Sequence, residues 1–310
     1  MSPALGTILI TGATGFIGAA LATRLSGAGA RGACLSRRIG PTLPGFEYRL
    51  PQGESAGDIA RAIGDLRPDV VLHLAAAGVH PQSRDPEELI RGNVGLTTSL
   101  IQALAERPPR RFIQVGSCSE YAPIEEPARI REDHPLDPTS LYGAAKASAF
   151  FCGRALASRV GVPFVALRLF GVIGPGEGPH RLIPHLLAHY QKGAAPPLSP
   201  GEQARDLAFV DDVVEALLLA ATSPAIEVGT VYNICTGIAT RVREVARLTA
   251  QITGYTGSDL GLGQRPYRDD EPMWIVGDPT KFASATGFHP RVSVTEAVRR
   301  MAELALARAS

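Results

Sequence analysis

This sequence has few cysteines and almost no net charge. Its four cysteines, Cys34, Cys118, Cys152 and Cys235, are scattered along 310 residues and form no Cys-x-x-Cys pair. That spacing argues against a disulfide framework and against a zinc site, and it fits reduced thiols. The formal net charge is +1, from 31 basic and 30 acidic side chains, so no overall field favours nucleic acid or an anionic membrane. Local groups must therefore bind any anionic ligand.

The sequence also lacks an apolar run long enough to cross a bilayer. The short apolar run near residue 7 follows no basic region and is needed as a first strand, so it does not predict a signal peptide. We therefore expect a cytoplasmic protein without nucleic-acid or membrane partners. With 45% hydrophobic residues, the chain can fill the core of one large domain or two modest ones.

Glycine, in contrast, is abundant, and three glycines at intervals of three follow the β-branched run Thr7–Thr11. A helical pattern begins directly after them. Glycine suits this turn because the turn is tight and its backbone must approach a pyrophosphate, which then faces the positive end of a helix. The stretch thus predicts a dinucleotide-binding strand, turn and helix. The predicted cofactor contacts here are Gly12, Thr14, Gly15, Phe16, Ile17 and Gly18.

The end of the next predicted strand, 32–36, bears on the choice of cofactor. Dinucleotide folds usually carry an acidic residue here for a ribose hydroxyl, or an arginine for a 2′-phosphate. This chain has Arg37 and Arg38, and the nearest acidic residue is Glu47. The pair favours NADP over NAD, with two solvated surface arginines as the alternative.

Strand and helix patterns alternate through the first half of the chain. Further strands are predicted at 46–50, 68–76 and 111–116, and such alternation calls for a parallel sheet with helices on both faces. We therefore predict an α/β fold with a Rossmann-type doubly wound parallel sheet. The fourth strand ends in residues that let the backbone approach a cofactor, namely Leu74, Ala75 and Ala76.

Three polar residues form a candidate catalytic unit. Ser117 follows the fifth strand, at the edge where parallel sheets bind ligands. Tyr142 and Lys146 are four residues apart in a helical run, so they share one helix face. We expect the lysine charge to lower the pKa of Tyr142 from about 10, which makes the phenol a usable acid and base. Ser117 can hydrogen-bond the same substrate oxygen.

With these residues in hand, the chain resembles the extended short-chain dehydrogenase/reductase family, in its sugar-nucleotide branch of epimerases, dehydratases and ketoreductases. The resemblance covers nearly the whole chain. Its landmarks are the glycine turn, the His-Leu-Ala-Ala stretch 73–76, Ser117, Tyr142 with Lys146, Arg168 with 174–176, and 205–213.

The resemblance implies that Lys146 also binds the nicotinamide ribose, that Tyr142 is the acid/base and that Ser117 polarises the substrate. It implies an NADP-binding domain over 1–172, on which a helix within 205–222 also packs. A smaller, interleaved region over 173–310 is implied to bind the nucleotide sugar. It further implies a homodimer that forms through the helices around 86–104 and 142–160.

Contacts to the sugar nucleotide are harder to assign. Arg205 and Arg265 are our candidates for a diphosphate, because bidentate guanidinium pairing suits phosphate; surface salt bridges are the alternative. The candidates to line the sugar pocket are His80, Ser119, Glu120 and His180. We expect His73 to be a hydrogen-bonded core residue and Cys118 to be inert packing. Asn93 is either a plain helical residue or the holder of a kink or water chain.

The reaction itself has several possible answers. The 4,6-dehydratases of this branch carry an Asp-Glu pair after the catalytic hydroxyl, whereas Cys118 and Ser119 follow Ser117 here. The stretch 116–122 is similar to that of reductases acting on 4-keto-6-deoxyhexoses. We therefore predict NADPH-dependent reduction of the C4 keto group of a GDP-, dTDP- or CDP-linked 4-keto-6-deoxyhexose. The alternatives are an epimerase with tightly bound NAD(P) and a non-catalytic NADP sensor, although a sensor would be expected to lack Tyr142 or Lys146.

Overall fold

The computed structural model describes residues 5–79, 85–125 and 127–307. Its strands in these ranges are β1 Thr7–Thr11, β2 Arg31–Leu35, β3 Phe46–Arg49, β4 Val70–His73, β5 Arg111–Ser117, β6 Phe164–Leu169, β7 Gly171–Ile173, β8 Ala204–Arg205, β9 Leu207–Phe209, β10 Val231–Ile234, β11 Thr240–Arg241 and β12 Trp274–Ile275.

Ten α-helices connect and cover these strands in the described ranges. They are α1 Phe16–Gly27, α2 Ala56–Ile63, α3 Pro86–Leu89, α4 Leu96–Ala103, α5 Leu141–Val160, α6 Leu182–Tyr190, α7 Val210–Thr222, α8 Val242–Thr253, α9 Thr280–Thr286 and α10 Val294–Ala307. A π-helical turn, Ile90–Gly95, joins α3 to α4, and a 3₁₀ turn, Cys118–Glu120, follows β5.

The central sheet has seven parallel strands in the order β3-β2-β1-β4-β5-β6-β10. The strands are all parallel, but the order in which the chain adds them to the sheet reverses between β1 and β4. In open parallel sheets, ligands bind beyond the carboxyl ends of the strands at this reversal. The predicted Rossmann-type doubly wound sheet is confirmed.

Alternating residues of β1 explain why helices cover both faces of the sheet. Ile8 and Ile10 join one buried cluster, which includes side chains of α1 and α7. Leu9 points to the opposite face and joins a second cluster with Ile59 of α2 and Phe150 of α5. Period-two side chains on a strand face opposite ways, so each face needs its own layer.

Two small sheets lie outside the central one. The strand β8 pairs antiparallel with β11 and parallel with β12, and β7 pairs parallel with β9. All five strands follow β6 in sequence, while α7, between them, packs against α1. The domain boundary at residue 172 stays a prediction. None of the helices in the described ranges is long and apolar enough to cross a membrane.

Candidate active site

The glycine turn after β1 is built for a close backbone approach. Gly12 has φ +75°, and a Cβ there would lie 2.7 Å from the backbone nitrogen of Ala75. A Cβ at Gly18 would lie 2.0 Å from the Gly12 carbonyl oxygen. No side chain caps the start of α1, where Gly15 is the N-cap and no acidic residue occupies the first turn. The free N–H groups and this glycine cradle fit the pyrophosphate of a dinucleotide.

The neighbouring loops close around this turn. The backbone nitrogen of Ala75 donates to the Thr11 hydroxyl at 3.1 Å, which draws the end of β4 against β1. Thr14 lies beside the loop after β2, since a Cβ at Gly40 would be 2.9 Å from its Cγ2. Phe16 faces the segment after β7, because a Cβ at Gly176 would be 3.7 Å from its ring. Leu74 and Ala76 are half-buried and Ile17 packs on the core, while Arg37 and Arg38 are exposed beyond β2.

The three candidate catalytic residues come from β5 and α5. Ser117 is the last residue of β5, and Tyr142 lies in the first turn of α5. A Cβ at Gly143 would be 2.1 Å from the Ser119 carbonyl oxygen, so the start of α5 rests against the chain that follows Ser117. The Ser117 hydroxyl lies close enough to the Tyr142 phenol for hydrogen bonding to lower the pKa of that phenol. The backbone nitrogen of Ser119 donates to the Ser117 Oγ at 3.1 Å.

The pKa of Tyr142 differs from our expectation. Burial, the largest cause, together with the charges of Cys118 and Glu120 raises it to about 12, although the Ser117 hydrogen bond and the Arg181 charge act to lower it. The expectation of a lowered pKa is therefore wrong for this structure, because desolvation of the phenolate outweighs the favourable groups. The Lys146 ammonium is itself buried and donates to the Val115 carbonyl at 2.5 Å. Burial lowers the pKa of Lys146.

Glu120 is buried beneath the site, whereas we expected it to line the sugar pocket. Its carboxylate accepts hydrogen bonds from the Ser117 backbone nitrogen and from Arg168, both at 2.7 Å. Both carboxylate oxygens therefore have partners inside the protein. The pairing with Arg168 joins residues 48 positions apart and left no local sequence signal.

His73 is a hydrogen-bonded core residue, as predicted. Its Nδ1 lies 2.7 Å from the Thr11 hydroxyl and its Nε2 lies 3.0 Å from the Thr97 hydroxyl. Burial and the Lys146 charge lower its pKa to about 3, so the ring is neutral. Asn93 holds the π-helical turn, because its amide donates to the Leu89 carbonyl at 2.8 Å.

The two candidate diphosphate ligands, Arg205 and Arg265, lie in different surroundings. Arg205 pairs with Glu271 and lies near Cys118, whose pKa its charge lowers. Arg268 lies close enough to Arg205 for its charge to lower the pKa of that guanidinium. Sequence reasoning missed Arg268, although it lies only three positions after Arg265. Arg265 is instead exposed near His185, whose pKa is lowered by burial, by His189 and by the Arg265 charge.

The other residues singled out in the sequence differ in their exposure to solvent. Ser119 is half-buried directly after Cys118, and His180 is exposed, next to Gly178. His80 lies outside the described residues. Burial raises the pKa of Cys118 to about 11, so its thiol is protonated near neutrality and does not behave as a nucleophile.

The chain is similar to known proteins over nearly its whole length. Residues 8–235 match the NAD dependent epimerase/dehydratase family. The chain belongs to this family. A family member from Kitasatospora kifunensis, dTDP-6-deoxy-L-talose 4-dehydrogenase (NAD(P)(+)), is 28% identical over 95% of this chain and 94% of its own. The GDP-6-deoxy-D-mannose reductase of Pseudomonas aeruginosa is 28% identical over 94% of both chains.

Other members of the family catalyse different reactions. The UDP-glucose 4-epimerase of Streptomyces lividans is 28% identical over 92% of both chains. Among solved structures, MoeE5 in complex with UDP-glucuronic acid and NAD superposes with a TM-score of 0.86 at 30% identity, over 98% of this chain and 100% of that one. Family membership is therefore firm, while the relatives differ in reaction.

Proposed function

We propose that this protein reduces the C4 keto group of a nucleotide-linked 4-keto-6-deoxyhexose with NADPH. The observation that carries the proposal is the contact of the Ser117 hydroxyl with the Tyr142 phenol, beyond the carboxyl end of β5. This pair can hydrogen-bond one substrate oxygen on the side of the sheet where the glycine turn opens. A nicotinamide dinucleotide in that turn supplies the hydride.

The ionisation of Tyr142 suits a reduction. With a pKa of about 12, the phenol is protonated near neutrality and can give its proton to a forming alkoxide. Ser117 stabilises the same oxygen by a hydrogen bond. The Lys146 ammonium lies one helical turn further along α5, where it can bind a ribose hydroxyl.

Arg37 and Arg38 support NADPH as the reductant. Both are exposed past β2, where a 2′-phosphate would be received. The nearest acidic side chain, Glu47, accepts from the Arg49 guanidinium at 2.8 Å. Glu47 is therefore held by Arg49, which leaves the two arginines as the charged groups directly after this strand.

Two arginines support a diphosphate-linked substrate. Arg205 lies near Cys118, which follows Ser117, and Arg268 lies near enough for its charge to act on Arg205. Paired guanidinium groups suit the two charges of a diphosphate. The relatives named for dTDP- and GDP-linked 6-deoxysugars support the sugar class.

An epimerase is the second candidate. Epimerisation needs the same serine, tyrosine and lysine, and the Streptomyces lividans relative is named UDP-glucose 4-epimerase. In that case the nicotinamide cofactor remains bound and shows no net change in its oxidation state.

The deciding assay follows NADPH absorbance with GDP-, dTDP- and CDP-linked 4-keto-6-deoxyhexoses, and with NADH as the control. We expect NADPH consumption with one of the three nucleotides. Conversion between two sugar nucleotides without consumption would establish the epimerase. Cofactor binding without turnover of any sugar nucleotide would indicate the sensor.

The Tyr142→Phe variant tests the assigned acid. We expect kcat to fall by about 10²- to 10⁴-fold, the usual contribution of general acid catalysis, while NADPH binding is retained. Tyr232→Phe is the control, since this buried phenol lies on β10 and its oxygen accepts a hydrogen bond from the Glu227 nitrogen. A Tyr142→Phe enzyme with most of its activity would contradict the assignment.

A further inference from the structure

A buried ion pair lies directly beneath Ser117. Glu120 Oε1 accepts from the Ser117 backbone nitrogen at 2.7 Å, and Glu120 Oε2 accepts from Arg168 Nε at 2.7 Å. The two side chains are only 1% and 2% exposed. A Cβ at Gly116 would lie 2.5 Å from Glu120 Oε1, so the glycine makes room for the carboxylate.

We propose that Glu120 and Arg168 are positioning residues that hold the Ser117 hydroxyl against the Tyr142 phenol. This inference rests on the proposed function, because it gives the pair a role in the same reaction. Neither residue has to touch the substrate for this role.

Stability alone is a weak reason for such a pair. Two charges lose most of their hydration when they are buried, and a buried ion pair is often no better than apolar side chains of the same volume. What the pair adds is a fixed position for Ser117, because one carboxylate joins the backbone of Ser117 to a guanidinium that is itself held in place. Charge-assisted hydrogen bonds at 2.7 Å hold their geometry more tightly than neutral ones.

The guanidinium of Arg168 is itself held from three sides. Its Nη1 donates to the Tyr121 hydroxyl at 3.1 Å, and its Cζ lies 4.7 Å from the ring centroid of Tyr121. On the other side, the Cζ lies 4.8 Å from the ring of Phe150. Phe150 is two turns along α5 from Tyr142, so the same helix that carries the phenol also braces the pair.

The network continues toward the second half of the chain. The Tyr121 hydroxyl donates to Asn233 Oδ1 at 2.7 Å, and the Asn233 amide donates to the Ile130 carbonyl at 2.9 Å. The Ile130 nitrogen in turn donates to the Val276 carbonyl at 2.8 Å, next to β12. The position of Ser117 is thus tied to β6, β10 and the segment after β12.

Charge supports the same assignment. Burial is the largest cause of both pKa shifts, raising the pKa of Tyr142 and lowering that of Lys146. The Glu120 charge adds to the first shift and opposes the second, so its field reaches the two other candidate catalytic groups. Loss of the pair would therefore disturb the serine geometrically and its partners electrostatically.

The test is Glu120→Asp, which keeps the charge but withdraws the carboxylate by one methylene. The aspartate cannot reach both Ser117 and Arg168. In crystal structures with NADP⁺, we expect the distance between Ser117 Oγ and the Tyr142 phenol oxygen to grow by about 1 Å, and kcat to fall by about 10- to 100-fold. The KM for NADPH should stay unchanged, because the glycine turn is untouched.

Two further variants make the result interpretable. Asp212→Asn alters another buried carboxylate, on α7, which accepts from the backbone nitrogens of Arg291 and Val292. It should lower stability without moving Ser117 or changing kcat. If Glu120→Asp fails to fold, Arg168→Lys keeps both buried charges, and we expect it to displace Ser117 in the same sense by a smaller amount.

The possible outcomes separate this inference from the proposed function. An unmoved Ser117 in the variant that folds would overturn the positioning role. A displaced Ser117 with an unchanged kcat would overturn its relevance to catalysis. If the wild-type protein turns over no sugar nucleotide, the proposed function fails, while the Ser117 to Tyr142 distance still decides whether the pair positions the serine.

Discussion

Arg37 and Arg38 show how single side chains bear on cofactor choice. Both are exposed past the end of β2, and Glu47, the nearest acidic residue in sequence, is paired with Arg49. We expect Arg37→Ala and Arg38→Ala each to weaken NADP⁺ binding by about tenfold, roughly 1.4 kcal/mol, with little effect on NAD⁺. Titration of the cofactor by fluorescence or calorimetry measures both affinities.

Arg31 provides the matched control for this experiment. It is an exposed arginine at the amino end of β2, the opposite end from the cofactor edge. Arg31→Ala should bind both cofactors like the wild type. Equal losses of NADP⁺ and NAD⁺ affinity in the Arg37 and Arg38 variants would refute a 2′-phosphate site.

Single residues also show where spacing along the sequence fails to predict the position of a side chain. Tyr142 and Lys146 share a helix face because they are four positions apart, and the sequence is enough to say so. The fate of Glu120 depends on Arg168, which comes from a different strand. No pattern near residue 120 distinguishes a buried carboxylate from one that faces a sugar.

The turn and helix after β1 are the element on which cofactor binding depends. Gly12 has φ +75°, and a Cβ there would come within 2.7 Å of the Ala75 nitrogen and 2.8 Å of the Leu74 carbonyl carbon. Gly12→Ala therefore has both backbone strain and a clash with backbone that cannot move freely. We expect it to weaken dinucleotide binding by at least about 100-fold in the same titration.

A glycine in the helix that follows this turn serves as the control. A Cβ at Gly27, in the last turn of α1, meets nothing within 4 Å. Gly27→Ala should leave cofactor affinity unchanged and raise stability by up to about 1 kcal/mol, because alanine is the better helix former. Equal affinity losses in both variants would mean that the turn is not the binding element.

Secondary structure was predictable to different degrees. Short runs of apolar and β-branched residues placed β1, β3 and β5 to within a residue or so, since each run lies between turn residues. The π-helical turn at Ile90–Gly95 was not foreseen as such. It depends on Asn93, whose side chain reaches the Ala77 carbonyl at 3.2 Å across a loop.

The stability of the whole molecule depends on pH, and buried His73 contributes to this dependence. The folded ring has a pKa of about 3, against about 6.5 when unfolded, so only the unfolded chain gains a proton as the pH falls between these values. The contribution of the neutral ring to the unfolding free energy is fully present above about pH 6.5 and is lost progressively as the pH falls below that value. Between about pH 7.5 and pH 5, this single group should cost about 2 kcal/mol of unfolding free energy.

The comparison of wild type with His73→Gln isolates this effect. Urea denaturation at the two pH values gives the unfolding free energy of each protein. Glutamine cannot gain the proton, so the variant should lose about 2 kcal/mol less on acidification, whatever its stability at the higher pH. Identical pH dependences would show that the His73 ring titrates normally in the folded protein.

The quaternary state stays a prediction. Exposed apolar side chains lie in the segments that the resemblance assigns to a homodimer, with Ile90 at 60% and Phe151 at 49% exposure. Phe151 and its neighbour Phe150 stack with the Arg154 guanidinium, whose Cζ lies 4.9 Å from the Phe150 ring. The surface of a second copy of this chain would cover these groups.

The sequence by itself determined the elements that depend on neighbours along the chain. Short apolar runs, three glycines at a helix start and a tyrosine four positions before a lysine each act over a few neighbouring residues, so their effects are local. They were sufficient for the parallel sheet, the glycine turn and the helix face of Tyr142 and Lys146.

Only the tertiary structure decided what burial and distant partners do to those groups. The pKa of Tyr142 rises because surrounding atoms from several elements remove its water, and Glu120 is buried because Arg168 meets it from β6. Arg268 lies near Arg205 while Arg265 lies near His185, although the two arginines are only three positions apart in sequence. Desolvation and long-range pairing depend on three-dimensional packing, which no short stretch of sequence encodes.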